Sequence, residues 1–185
     1  TRAFVVFVLS ELGDLAPSRA VAVYDRRDEL GIDGLAFLAL ALHNASPGES
    51  PRIAGLLAEI GAAADVSASG AHWTDPARDL GSLGGDRRST AVAILALARL
   101  DPDHPNLAPA VRWLMSAREA ARWETTYDTA WSVLALAEHM RATGELAADF
   151  AYHVELGGAE VVKGRVEAAN VAERVAADIP AGDLD

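Results

Sequence analysis

Ser89-Thr-Ala-Val-Ala-Ile-Leu-Ala-Leu-Ala-Arg-Leu100 and Asp128-Thr-Ala-Trp-Ser-Val-Leu-Ala-Leu-Ala-Glu-His139 decide how this chain is read. Laid one on the other, they agree at Thr90/Thr129, at Ala91/Ala130 and through Leu-Ala-Leu-Ala, a spacing of 39 residues. That spacing suits a repeated pair of helices. A third span, Leu35-Ala-Phe-Leu-Ala-Leu-Ala-Leu42, echoes them weakly at Leu38 to Ala41. None of the spans 35–42, 91–98 and 130–137 carries the polar face that a surface helix needs. All three are therefore expected to be buried on both sides, and Leu134→Ala is expected to cost about 2 to 5 kcal/mol.

A second kind of helix alternates with the first. Ile53, Leu56, Leu57, Ile60 and Ala64 fall at helical spacing, as do Leu107, Val111, Leu114 and Met115, while Arg52, Glu59 and Arg112 take the opposite faces. Such amphipathic segments should cover the apolar ones and meet water on their far side. Ser50-Pro51 and His104-Pro105 place proline where a helix begins, and Asn44 and Gly144 stand where a left-handed cap would end one. Asp86 and Thr126 suit helix N-caps. The expected fold is mostly α: seven helices in two layers, a partial α/α toroid of alternating inner and outer helices.

The period changes at Phe150. Phe150, Tyr152, Val154 and Leu156 alternate with Ala151, His153 and Glu155, and Gly157-Gly158 can supply the positive φ angles of a two-residue hairpin turn. Val171 to Ile179 alternates more weakly. The chain is accordingly divided into residues 1–147, a helical domain, and residues 148–185, a partial β-sandwich segment that needs partners, since two or three strands bury no core alone.

Composition excludes several functions. Sixteen basic against 27 acidic residues give a net charge of −11, the wrong sign for phosphate binding, so no nucleic-acid partner is expected. No apolar run approaches the ~20 residues that span a bilayer, so no membrane span is expected. No signal segment is visible at Thr1, and the helical pattern begins at once, as it would in part of a longer polypeptide. With no cysteine there is neither a disulfide, a thiolate metal site nor a Cys nucleophile.

Several stretches, in order, resemble one family. Tyr24-Asp-Arg-Arg-Asp-Glu-Leu-Gly31 leading into Leu35–Leu42, then Gly70-Ala-His-Trp73 and Arg87-Arg-Ser-Thr-Ala-Val92, are similar to bacterial α2-macroglobulins. So are Leu100-Asp-Pro-Asp-His-Pro105, Val111-Arg-Trp-Leu114 and Trp123-Glu-Thr-Thr-Tyr-Asp-Thr-Ala-Trp-Ser-Val-Leu-Ala-Leu-Ala137. Tyr152-His-Val-Glu-Leu-Gly-Gly158 resembles the strands of the CUB-like β-domain that follows the family's helical thioester domain.

The resemblance implies protease trapping. A target protease cleaves a bait segment, the inhibitor changes shape, and an internal Cys-to-Gln thioester is exposed and acylates the attacker. It implies a periplasmic or extracellular location, with the remaining domains of the parent protein and target proteases as partners. The Cys-x-Glu-Gln motif that forms the thioester is not in this chain; it lies either upstream of Thr1 or nowhere in the parent, as in family members that trap without a covalent bond. The expected role is structural and non-enzymatic, completing the domain that keeps a thioester dry against premature hydrolysis. No cofactor is expected.

Each polar candidate has a plain reading beside a sharper one. His72 could relay an acyl group, as a loop histidine does in complement relatives, but that histidine would align near Gly81 to Gly84, and loop packing is the simpler role. Trp73 and Trp123 stand at matching places before two buried spans; they either seal the rim as buried area or shield the thioester. Asp75, Asp79, Asp86, Glu124 and Asp128 could supply the carboxylate pair of a glycosidase, yet solvated loops and helix capping account for them more simply. Histidines 43, 72, 104, 139 and 153 lack the spacing of a zinc site. Two other readings stay open: an α/α-toroid enzyme of the terpene cyclase or prenyltransferase type, whose Asp-x-Asp-Asp acid Asp101-Pro-Asp103 only half matches, and a helical-repeat binding module.

Overall fold

The computed structural model describes residues 2–46, 48–74, 85–119, 122–147 and 149–170, together with Glu173 and Ala176. Two compact units divide the chain, Thr1–Ala142 and Thr143–Asp185. Among the described residues the fold is mostly helical, with two separate two-stranded antiparallel sheets.

The helical unit contains α1 (Arg2–Glu11), α2 (Pro17–Tyr24), α3 (Ile32–Ala45), α4 (Ser50–Ala62), α5 (Asp86–Leu100), α6 (Leu107–Ser116) and α7 (Thr126–Thr143). A short hairpin of β1 (Asp65–Ser67) and β2 (Gly70–His72) lies between α4 and α5. Helix α3 is central, packing against α1, α2, α4 and α5. Every residue of 35–42 on α3 and of 89–98 on α5 is buried. The alternation of Ala with Leu explains how, because small side chains let neighbouring helices approach on several sides while the leucines fill the space between them.

Helices α2 and α4 pack on α3, and α6 packs on α5. On α4 the apolar stripe Ile53, Leu56, Leu57 and Ile60 is buried as expected from its spacing. On α6 the buried set is Leu107, Ala110 and Leu114, while Met115, expected in the stripe, faces water.

The third apolar span departs from expectation. On α7 only Asp128, Trp131, Ser132 and Ala135 are buried, and Val133 and Leu134 are 55% and 54% exposed. Sequence reports the absence of a polar face; burial additionally needs neighbours, and α7 has them on one side. Trp131 makes that contact, its ring centroid 5.2 Å from Phe37 on α3 and 6.2 Å from Phe4 on α1.

Cap positions also moved. Asn44 lies inside α3, which ends at Ala45; its side-chain amide donates to Ser10 Oγ at 3.1 Å and Glu11 Oε1 at 2.7 Å on α1. Thr125 rather than Thr126 caps α7: its Oγ1 accepts from the Asp128 N–H at 3.0 Å and donates to the Asp128 carboxylate at 2.7 Å. The spacing is that of a capping box, with the acid in the third helical position accepting from the Thr125 hydroxyl. Asp86 is the first residue of α5, and Gly85 holds the cap position with no side-chain bond. Pro51 lies in the first turn of α4, whereas Pro105 precedes the Asn106 cap of α6. Gly144 follows α7 at φ +75°, the left-handed geometry its type suits.

In the second unit, β3 (Phe150–Leu156) pairs with β4 (Ala159–Val166) across Gly157-Gly158. Both glycines have positive φ, +58° and +84°, as a type I′ turn demands. Phe150 and Val154 on one face of the ribbon are exposed. Val171 to Ile179 lies, apart from Glu173 and Ala176, outside the described residues.

Candidate functional site

The sequence candidates fall at two junctions built to one plan. At the first, Trp73 is fully buried after β2; its indole N–H donates to the Ile60 carbonyl on α4 at 2.7 Å, and its backbone N–H donates to Thr90 Oγ1 on α5 at 3.1 Å. At the second, Trp123 is buried; its indole N–H donates to the Leu114 carbonyl on α6 at 2.9 Å, and its backbone N–H to Thr129 Oγ1 on α7 at 3.3 Å. Ile60 and Leu114 each lie two residues before the end of their helix, where carbonyls lack the usual partner four residues on. Each tryptophan thus satisfies a last-turn carbonyl, fills the seam with its ring, and ties one helix to the next, α4 to α5 and α6 to α7. Thr90 and Thr129 are the equivalent positions of the 39-residue repeat, so the repeat is one of structure as well as wording.

His72, one residue before Trp73, lies flat on Trp113 of α6, ring centroids 4.6 Å apart and planes 6° apart. Its Nε2 is 4.0 Å from Asp65 Oδ2 across the hairpin. Gly70 allows this approach. Its φ is +134°, and a Cβ there would collide with the Pro109 carbonyl oxygen and the Trp113 side chain. The β1–β2 hairpin, with three residues per strand, was not visible in the sequence; Ser-Ala-Ser-Gly at 67–70 was its only turn signal.

The acids are held by neighbours. Glu124 ion-pairs with Arg87, Asp128 is buried in the capping box, and Asp33 ion-pairs with Arg88 between α3 and α5. Asp75 and Asp79 lie outside the described residues. His104 Nδ1 accepts the Asn106 backbone N–H at 3.1 Å, and His153 lies 3.8 Å from Glu155. Among the described residues no group of three or more His, Cys, Asp or Glu side chains could hold a metal ion.

A polar network missed in the sequence joins the helix ends. Arg99 near the end of α5 reaches Glu11 of α1 at 2.7 Å and Glu138 of α7 at 3.5 Å, and Arg141 pairs with Glu138 one turn on. At the other end, Arg88 of α5 meets Asp33 of α3 and lies 5.7 Å from the Tyr127 ring of α7. With Asn44 bonded to Ser10 and Glu11, these contacts set α1, α3, α5 and α7 parallel. Arg99/Glu138 and Arg88/Tyr127 are both repeat equivalents, so a comparison of charges at matched positions would have shown the first pair. Burial would raise the Glu138 carboxyl, but the hydrogen bond from Arg141 and the charge of Arg99 outweigh it and hold it below its ordinary value of 4.5.

These groups brace helices against one another. No protein-family model matches the chain, and no curated protein matches it.

Proposed function

We propose that this chain is a structural part of a bacterial α2-macroglobulin-like endopeptidase inhibitor, the region of the helical domain that houses and shields the thioester, without reactive chemistry of its own. In this reading α1, α3, α5 and α7 are consecutive inner helices of an α/α toroid, α2, α4 and α6 its outer sheath, and β3–β4 the start of the CUB-like domain. The parent works in the periplasm or outside the cell, and its partners are its own remaining domains and the proteases it traps.

The supporting observation is the pair of tryptophan seals. Both close a seam between successive helices with a buried indole and two hydrogen bonds, as a domain that excludes water from a hydrolysable acyl bond needs. His72 packed on Trp113 fits a loop-closing role.

The parent polypeptide provides the test. Incubated with a protease, it should block cleavage of a large protein substrate while leaving a small chromogenic peptide accessible, as enclosure requires. Unimpeded cleavage of both would overturn the proposal. The repeated Trp–Thr tie also supports a second reading, a helical-repeat binding module, which would bind a partner without discriminating between substrate sizes.

A further inference from the structure

Helices α1 and α2 meet along a groove of about 400 Å³. Arg2, Val5, Val6 and Leu9 line it from α1, and Arg19, Ala22 and Val23 from α2, each set keeping to the three- and four-residue steps of one helix face. Val6 is buried, Leu9 and Val23 are half-buried, and Val5 and Ala22 are open to water. The lining is apolar apart from the two arginines, and no acid belongs to it.

The chain as a whole carries a net charge of −11, and on α5 Arg87, Arg88 and Arg99 each face a carboxylate. The guanidiniums of Arg2 and Arg19 have neither an ion pair nor a hydrogen bond with any described residue, and Asp14, in the turn beside Arg19, does not pair with it. An unpaired guanidinium on apolar surface offers an anionic head a charge-assisted, two-pronged hydrogen bond, while its methylene stem extends the apolar wall. Size separates a small ligand from a macromolecule. Small-molecule sites occupy roughly 300 to 1,000 Å³, which this groove of about 400 Å³ matches. A stable protein partner needs roughly 800 Å² and some 20 to 30 residues from each side, far more than the stretch of α1 and α2 that lines it.

We propose that this groove binds a medium-chain aliphatic carboxylate, its alkyl chain laid along Val5, Val6, Leu9 and Val23 and its carboxylate paired with Arg2 or Arg19. The complementarity is twofold: an apolar body meets an apolar floor, and a single negative head meets cations that the acidic chain leaves unpaired. This site is separate from the protease-trap reading and stands or falls without it.

Decanoate, titrated by calorimetry into the full chain, is the probe. It should saturate one site per chain, while decyltrimethylammonium, with the same tail and the opposite charge, should bind at least about tenfold more weakly. R2Q/R19Q should lose at least about tenfold in decanoate affinity, and Val5→Glu, which sets a carboxylate in the groove, should lose as much. All three positions are exposed, so circular dichroism should show these variants folded. R112Q/R118Q, altered at two exposed positions on and just after α6, makes the same change in net charge and should bind like the parent sequence. No binding of decanoate by the full chain would overturn the proposal, as would equal binding of the cationic probe, or unchanged affinity in R2Q/R19Q or in Val5→Glu. Equal loss in R112Q/R118Q would overturn it too, by assigning the effect to overall charge. So would sedimentation showing a dimer that Val5→Glu dissociates, because the groove would then belong to a second copy.

Discussion

Leu95→Ala and Leu134→Ala remove the same atoms from equivalent places in a repeat, yet their costs should differ by about 2 kcal/mol or more. Leu95 is 4% exposed and Leu134 54% exposed. Full burial of a leucine side chain contributes roughly 1.5 to 3 kcal/mol, and truncation in a close-packed core adds a cavity term, for a total of about 2 to 5 kcal/mol. At Leu134 about half the side chain is already in water, no closed cavity forms, and alanine favours the helix, so the expected loss is under about 1 kcal/mol. Urea denaturation followed by tryptophan fluorescence is the assay. All four tryptophans, at 73, 113, 123 and 131, lie in the helical unit, so the signal reports that unit. Equal losses at the two positions, within about 0.5 kcal/mol, would refute the assignment of α5 to the interior and α7 to its border.

Trp123→Phe keeps most of the ring but deletes the donor to the Leu114 carbonyl; it should cost about 1 to 3 kcal/mol in the same urea titration. Gly70→Ala should destabilise the helical unit more than Gly85→Ala, because only at Gly70 does an added Cβ meet backbone; comparative thermal melts would show it. The Glu138 carboxyl is held below 4.5 in the folded chain, so its stabilising contribution is complete above the unfolded value and is lost as pH falls through the folded one. Glu138→Gln should therefore flatten the acid limb of a stability-versus-pH profile and leave the chain less stable at neutral pH. Gly158→Val, at φ +84°, should open the β3–β4 hairpin, read from amide shifts of 150–166, without moving the tryptophan-detected melt.

Sequence carried the interior of this fold well where composition alone decides it. Spans 35–42 and 91–98 lack any polar face, and each is buried throughout. The span 130–137 has the same wording and a different fate, because exposure depends on which helices stand next to α7, and no local pattern encodes that. Thr125 was legible, since Thr-x-x-Asp at 125–128 is a capping signature; the neighbouring Thr126 offers the same hydroxyl and obscured it. The seals were half visible. Trp73 and Trp123 stood out before two apolar spans, but their bonds to the Ile60 and Leu114 carbonyls depend on where α4 and α6 end.

Native-state hydrogen exchange on the full chain tests the buried interior most directly. Amides of 35–42 and 89–98 should exchange slowest, opening only with the whole helical unit, while α7, bordered on one side, should exchange distinctly faster. Protection of α7 equal to that of α5, or rapid exchange in α3, would contradict the account.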